Sequence, residues 1–172
     1  MRPSITSLLL PALVAASALG YAQDKVSRQD AKAIQSLAEA NRAEVDAGKL
    51  ALEKAQSEPV KKFAQHMVDD HGKMLDEVQK LAEAKGVKLS DDVSVKHKAE
   101  AKKLESAPGE KFDKDYMSAM VKGHASVLKD LEKMSRSSKD PDVKAAAEKA
   151  LPDVKKHLEL AKQVAAGPRA AH

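Results

Sequence analysis

Three stretches of the sequence hold histidine in one frame: MVDDH (Met67 to His71), MVKGH (Met120 to His124) and DVKKH (Asp153 to His157). Valine stands three residues before each histidine, and methionine opens the first two stretches. Imidazole nitrogens bind zinc, copper and iron, and a thioether sulfur extends such a set towards copper(I). Three of the chain's six histidines in one frame, with no cysteine anywhere, point to a buried polar layer able to hold a metal. They name no reaction. The chain has no glycine-rich phosphate loop, no serine elbow and no cysteine nucleophile, so no catalytic residue is assigned.

The elements that must position these residues are helices. Alanine, lysine, glutamate and leucine dominate after Gln23, and runs of β-branched residues are absent. Ser27 and Asp30 make a capping box for a first long helix reaching about Gln56. Ser57 and Pro59 open a second, closed by Gly86 after Lys85. Ser90 is the expected cap of a short connecting helix ending near Ser106, and the Ala107–Gly109 break precedes a third long helix from about Glu110 to Arg136. Asp140 and Pro141 open the fourth, which ends at Gly167. Pro152 lies inside it, one turn before His157, and should kink the helix or leave the Glu148 carbonyl unbonded.

Each long helix carries an apolar stripe at steps of three and four. A titratable group interrupts each stripe near its middle: Glu44, His71, His124 and His157. At about 1.5 Å per residue, Glu44 and His71 both sit roughly 18 Å from the turn between the first two helices. His124 and His157 sit roughly 21 and 24 Å from the turn between the last two. Two hairpins therefore each carry a polar pair at mid-height. The segment from Gly86 to Gly109 is too long for a tight turn and contains its own helix, so it can run the length of the bundle. The second and third long helices are then parallel, and all four groups meet at one level. The expected fold is all-α: a ferritin-like four-helix bundle of two antiparallel hairpins with a long crossover containing a short extra helix.

The stretches ALEKAQSEPVKKFAQHMVDDH, FDKDYMSAMVKGH and LPDVKKHLELAK resemble the exported bacterial family called domain of unknown function 4142, over about Ser27 to Val164. The resemblance implies a ferritin-like bundle and an exported location. It assigns no activity, and it maps the family's histidines onto His71, His124 and His157.

A ferritin-like di-iron site uses Glu-x-x-His on two of its helices. Here Val68, Val121 and Val154 occupy the glutamate position, which argues against di-iron oxidase chemistry. Glu44 is the carboxylate within the layer, with Asp70, Asp115 and Asp153 at the stripe edges. Met67 and Met120 lie one turn below His71 and His124 on the same face. Glu44, His71, His124 and His157 are thus the candidate metal ligands, with Met67 and Met120 as auxiliary soft donors, and copper, zinc or iron as the candidate ion. The alternative is a metal-free envelope stress or interaction protein, whose histidines form a hydrogen-bonded core layer around Glu44 as a charged hub. His66, beside Lys62, Asp69 and Lys73, reads as solvated. His97 reads as structural, and His172 is terminal.

Residues 1–22 carry Arg2, an apolar run and a small-residue end at Ala22, which is the pattern of a signal peptide. The expected mature domain is residues 23–172, periplasmic or secreted, with no stable membrane insertion after cleavage. The 30 basic and 26 acidic residues give a formal charge of +4. They are interleaved rather than blocked, and Phe63, Phe112 and Tyr116 are the only aromatic residues beyond Ala22. That composition lacks the basic patch and stacking platform of a nucleic-acid binder.

Overall fold

The structure, a computed structural model, describes residues 26–91 and 93–167, so the signal-peptide reading of residues 1–22 lies outside the described residues. Five helices carry the described chain: α1 (Arg28–Lys54), α2 (Glu58–Ala84), α3 (Val95–Ser106), α4 (Gly109–Ser137) and α5 (Pro141–Ala166). No strand occurs among the described residues. None of these helices is long and apolar enough to cross a membrane.

The caps explain most of the boundaries. Ser27 Oγ accepts from Asp30 N–H and donates to Asp30 Oδ2 at 2.9 Å. The same Asp30 carboxylate accepts from the amides of Lys139 and Asp140, which ties the start of α1 to the start of α5. Asp140 caps α5 by accepting from Asp142 and Val143 N–H. Ser57 stands at the N-cap of α2 as expected, without a side-chain cap bond; Asp113 of α4 accepts from the amides of Gln56 and Ser57, just ahead of the helix, at 3.0 and 2.8 Å. One expected cap is corrected. The cap of α3 is Ser94, not Ser90. Ser90 instead offers its carbonyl to Arg42. α5 runs as one helix through Pro152, whose ring supplies no N–H for the Glu148 carbonyl.

α1 packs on α2 and α4 on α5, and the two hairpins meet through α2 with α5 and α1 with α4. Contacts at the helix ends give the directions. The start of α2 meets the start of α4 through Asp113. The end of α2 meets the start of α5 through Lys85, whose ammonium contacts Asp140 and Asp142. α2 and α4 are therefore parallel, as the long connection implies. The crossover travels along α1: Gln35 bonds the Lys88 carbonyl, Glu39 bonds Ser94 and His97, and Lys54 reaches the Glu105 carbonyl.

The apolar core falls into two clusters. One contains Phe63, Met67, Phe112, Tyr116 and Met120; the other contains Ile34, Val78, Leu131, Val143 and Val154. Along every long helix, the interrupting polar residue lies between the segments that feed these clusters. The bundle is held above and below a polar layer rather than through it.

Gly48 lies where α1 approaches α2 closely. A Cβ there would sit 2.7 Å from Val68 Cγ2 and 3.1 Å from the Ala64 carbonyl oxygen. Overpacking of this kind costs about 1–3 kcal/mol, against roughly 1 kcal/mol gained from alanine's helix propensity. At Gly72 nothing among the described residues lies within 4 Å of the added Cβ. Gly48→Ala is expected to lower unfolding stability by about 1 kcal/mol, and Gly72→Ala to raise it by a similar amount. Urea denaturation of the two variants checks the opposite signs.

Candidate metal centre

His71 on α2, His124 on α4 and His157 on α5 meet in the polar layer, 5%, 2% and 1% exposed. Their rings pack against one another with centroids 5.1 to 5.6 Å apart. One ligating nitrogen from each lies within 4.8 Å of the others.

Hydrogen bonds define the tautomers. His71 Nδ1 lies 2.8 Å from Asn41 Oδ1, while the Asn41 amide nitrogen donates to the Leu37 carbonyl. The Asn41 oxygen can therefore only accept, and Nδ1 carries the proton of His71. His124 Nδ1 donates to the Met120 carbonyl at 2.9 Å. His157 Nε2 donates to Asp70 Oδ2 at 3.2 Å, and Asp70 is held below the usual carboxylate range: burial would raise it, but the His157 hydrogen bond and nearby positive charge prevail. The remaining nitrogens are bare. His71 Nε2 and His124 Nε2 face each other at 3.2 Å, and buried His157 Nδ1 has no hydrogen-bond partner among the described residues.

All three rings stay neutral near pH 7. Burial pushes His71 down to about 3, with the positive charge of its histidine neighbours adding to the effect. Burial pushes His124 down to about 4, against the hydrogen bond to Met120. Burial also lowers His157, opposed by Asp70. The layer therefore presents three uncharged imidazoles, each with one lone pair free and its other nitrogen bonded to an oxygen. Metal-binding histidines in proteins are oriented in this way.

The other expected ligands sit around this set. Glu44 Oε1 lies 3.8 Å from His124 Nδ1, a nitrogen already committed to Met120. Glu44 keeps 15% of its side chain exposed, but its Oε2 is buried without a hydrogen-bond partner among the described residues. Desolvation, with Glu100 adding repulsion, raises its pKa to about 8, so at neutral pH it is mostly protonated. The charged hub expected at Glu44 is thus corrected: Asn41 holds His71, Met120 holds His124 and Asp70 holds His157. Met67 and Met120 are buried in the apolar cluster adjoining the layer.

Asn41 and Asp70 escaped the sequence reading as partners of the layer, although an amide in the middle of an apolar stripe is itself a signal. His66 is a further correction. It is not merely solvated: its Nε2 lies 3.4 Å from Asp70 Oδ2, and its ring packs edge-on against His157 at 5.3 Å. The i,i+4 spacing of His66 and Asp70 was the available clue. A cavity of about 310 Å³ adjoins the layer; Glu44, Asp70, His71 and His124 are among its lining residues, and Lys73 and Lys149 bring it to the surface of α2 and α5.

The fold has solved relatives. A DUF305 fragment from Deinococcus radiodurans superposes with a TM-score of 0.73 at 15% identity, covering 82% of this chain and 97% of that one. CopM in its Cu(II)-bound form gives 0.67 at 16% identity, covering 80% and 95%. CopM in its Cu(I)-bound form gives 0.65 at 16% identity, covering 78% and 94%. At these identities the likeness is one of fold. No curated protein matches the sequence. The family model described as domain of unknown function, DUF4142, matches residues 15–164, and the chain belongs to that family.

Proposed function

We propose that His71, His124 and His157 form a transition-metal site, and that the protein binds or buffers a soft or borderline ion in the bacterial envelope, copper(I) foremost. The observation that carries this reading is the facing pair of bare Nε2 atoms at 3.2 Å. Two lone pairs at that distance repel each other. A proton between them would need one ring to be cationic, which burial opposes at both. A metal ion resolves the conflict: with metal–nitrogen bonds of about 2.0–2.1 Å, tetrahedral donors stand about 3.3 Å apart. The unpartnered Nδ1 of His157 supplies a third donor.

Charge favours the monovalent ion. Desolvation cost rises with the square of the charge, and three neutral imidazoles offset little of it. Copper(I) suits such a set, with the sulfurs of Met67 and Met120 as further soft donors. Zinc would draw on Glu44 as its carboxylate by displacing the proton that burial holds there. The Cu(I)-, Cu(II)- and Ag-bound forms of CopM support a soft-metal reading on a similar fold. The signal-like leader supports an envelope location.

The test is titration of the purified protein with copper(I) and zinc against competing chelators. Changing His71, His124 and His157 together to Gln is expected to weaken the preferred ion at least ~100-fold, or about 2.7 kcal/mol. Equal binding by parent and variant would refute the site and leave the histidines as a metal-free core layer.

A further inference from the structure

We propose that His66, Asp70 and His157 form an outer loading site, from which a metal ion passes to the inner His71–His124–His157 set across the shared His157 ring; the inner half of this proposal rests on the metal reading above. Ligating atoms of His66, Asp70 and His157 all lie within 4.8 Å of one another, as those of the inner set do. The two sets differ in access. The His66 and Asp70 side chains are 32% and 28% exposed, whereas that of His157 is 1% exposed. Ring packing runs inward from His66 to His157 at 5.3 Å, then from His157 to His71 and His124 at 5.1 and 5.6 Å. His157 is the one residue common to both sets.

The two nitrogens of that ring serve different sides. Nε2 faces Asp70, and Nδ1 lacks a hydrogen-bond partner among the described residues. An ion held outside by Nε2 leaves the ring proton on Nδ1. An ion held inside by Nδ1 leaves the proton on Nε2, where Asp70 accepts it. The ring carries one proton in both states, so the transfer is proton-neutral overall. The outer state buries an N–H without an acceptor and the inner state does not, which gives the transfer its direction. The donor sets suit the two stages. A carboxylate with access to water accepts a hydrated ion, whereas three buried imidazoles hold a stripped one. Lys73 Nζ, 3.5 Å from Asp70 Oδ1 and 76% exposed, keeps the outer site weak and swings aside when a cation arrives.

Zinc alone is the probe, with uptake followed by stopped-flow and affinity by chelator competition. His66→Gln is expected to slow zinc uptake about tenfold or more while leaving the equilibrium affinity within about threefold. In a His71→Gln/His124→Gln double variant, weak zinc binding should remain, and adding His66→Gln should abolish it. Parental uptake in His66→Gln, with no zinc held by the double variant, overturns the loading site and leaves the inner site intact. Zinc binding unchanged in the double variant but lost in His66→Gln overturns the transfer and the inner site together.

Discussion

Acidification of the metal-free protein is expected to remove its stability steeply below about pH 4.5. The cause is the neutral layer. His71 and His124 have folded pKa values of about 3 and 4, against 6.5 when unfolded. The unfolded chain therefore takes up protons first as pH falls, and each such histidine withdraws up to about 1.4 kcal/mol per pH unit until its folded pKa is passed. Glu44 acts in the opposite sense. Its folded pKa is about 8 against 4.5, so the folded protein holds the extra proton between those values. Its contribution is complete below 4.5 and fades as pH rises towards 8. Between about 4.5 and 6.5 the two effects oppose each other; below 4.5 the histidines act without it, joined by carboxylates such as Asp70. Stability should peak at mildly acidic pH and then fall at about 2–3 kcal/mol per unit. Urea unfolding across pH 3.5–8.5 measures this. His71→Gln/His124→Gln should flatten the acid limb, and Glu44→Gln should flatten the limb above pH 6.5. An acid limb unchanged in the double variant would mean that these histidines are not buried neutral groups.

Much of the fold was readable because helix periodicity and capping are local. The stripes through Val60–Leu81 and Phe112–Met134, the proline and glycine punctuation and the long Gly86–Gly109 connection were enough to give two hairpins, their parallel pairing and one polar level. What was missed came from long-range partners. Ser57 holds the N-cap position of α2, but the carboxylate that accepts from its amide and from that of Gln56 comes from Asp113 of another helix. Ser90 and Ser94 are indistinguishable until the packing of α3 on α1 selects Ser94 through Glu39. In the layer, stripe position correctly singled out His71, His124 and His157, since burial on a face follows from spacing alone. Which oxygen each ring would face could not be read that way. Glu44 and Asn41 lie almost one turn apart on the same stripe, and only the packing of α1 on α2 places Asn41 Oδ1 2.8 Å from His71 Nδ1.

Metal binding should raise the thermal midpoint by about 8–16 °C. An ion at 1,000 times its dissociation constant, binding only the folded state, contributes about 4.1 kcal/mol, and 1 kcal/mol moves a chain of this size by roughly 2–4 °C. The size of the shift for each ion then distinguishes the donors. Copper(I) would engage sulfur as well as imidazole; zinc would use the histidines and Glu44 and ignore sulfur. Met67 and Met120 are buried in the cluster adjoining the layer, so Met67→Leu/Met120→Leu preserves volume and apolarity and should cost less than about 1.5 kcal/mol per site. It also leaves the Met120 carbonyl in place to orient His124, so the imidazole set is retained. In that variant the copper(I) shift is expected to shrink by several degrees while the zinc shift holds. Glu44→Gln should shrink the zinc shift more than the copper(I) shift, because a divalent ion can displace the Glu44 proton and gain its charge whereas a monovalent ion gains little. Equal shrinkage for both ions in the methionine variant would mean that the substitution had loosened the layer rather than removed ligands. Shifts of parental size in the variant with all three histidines changed to Gln would mean that the ions bind elsewhere on the surface, and the bare nitrogens at 3.2 Å would then need another explanation.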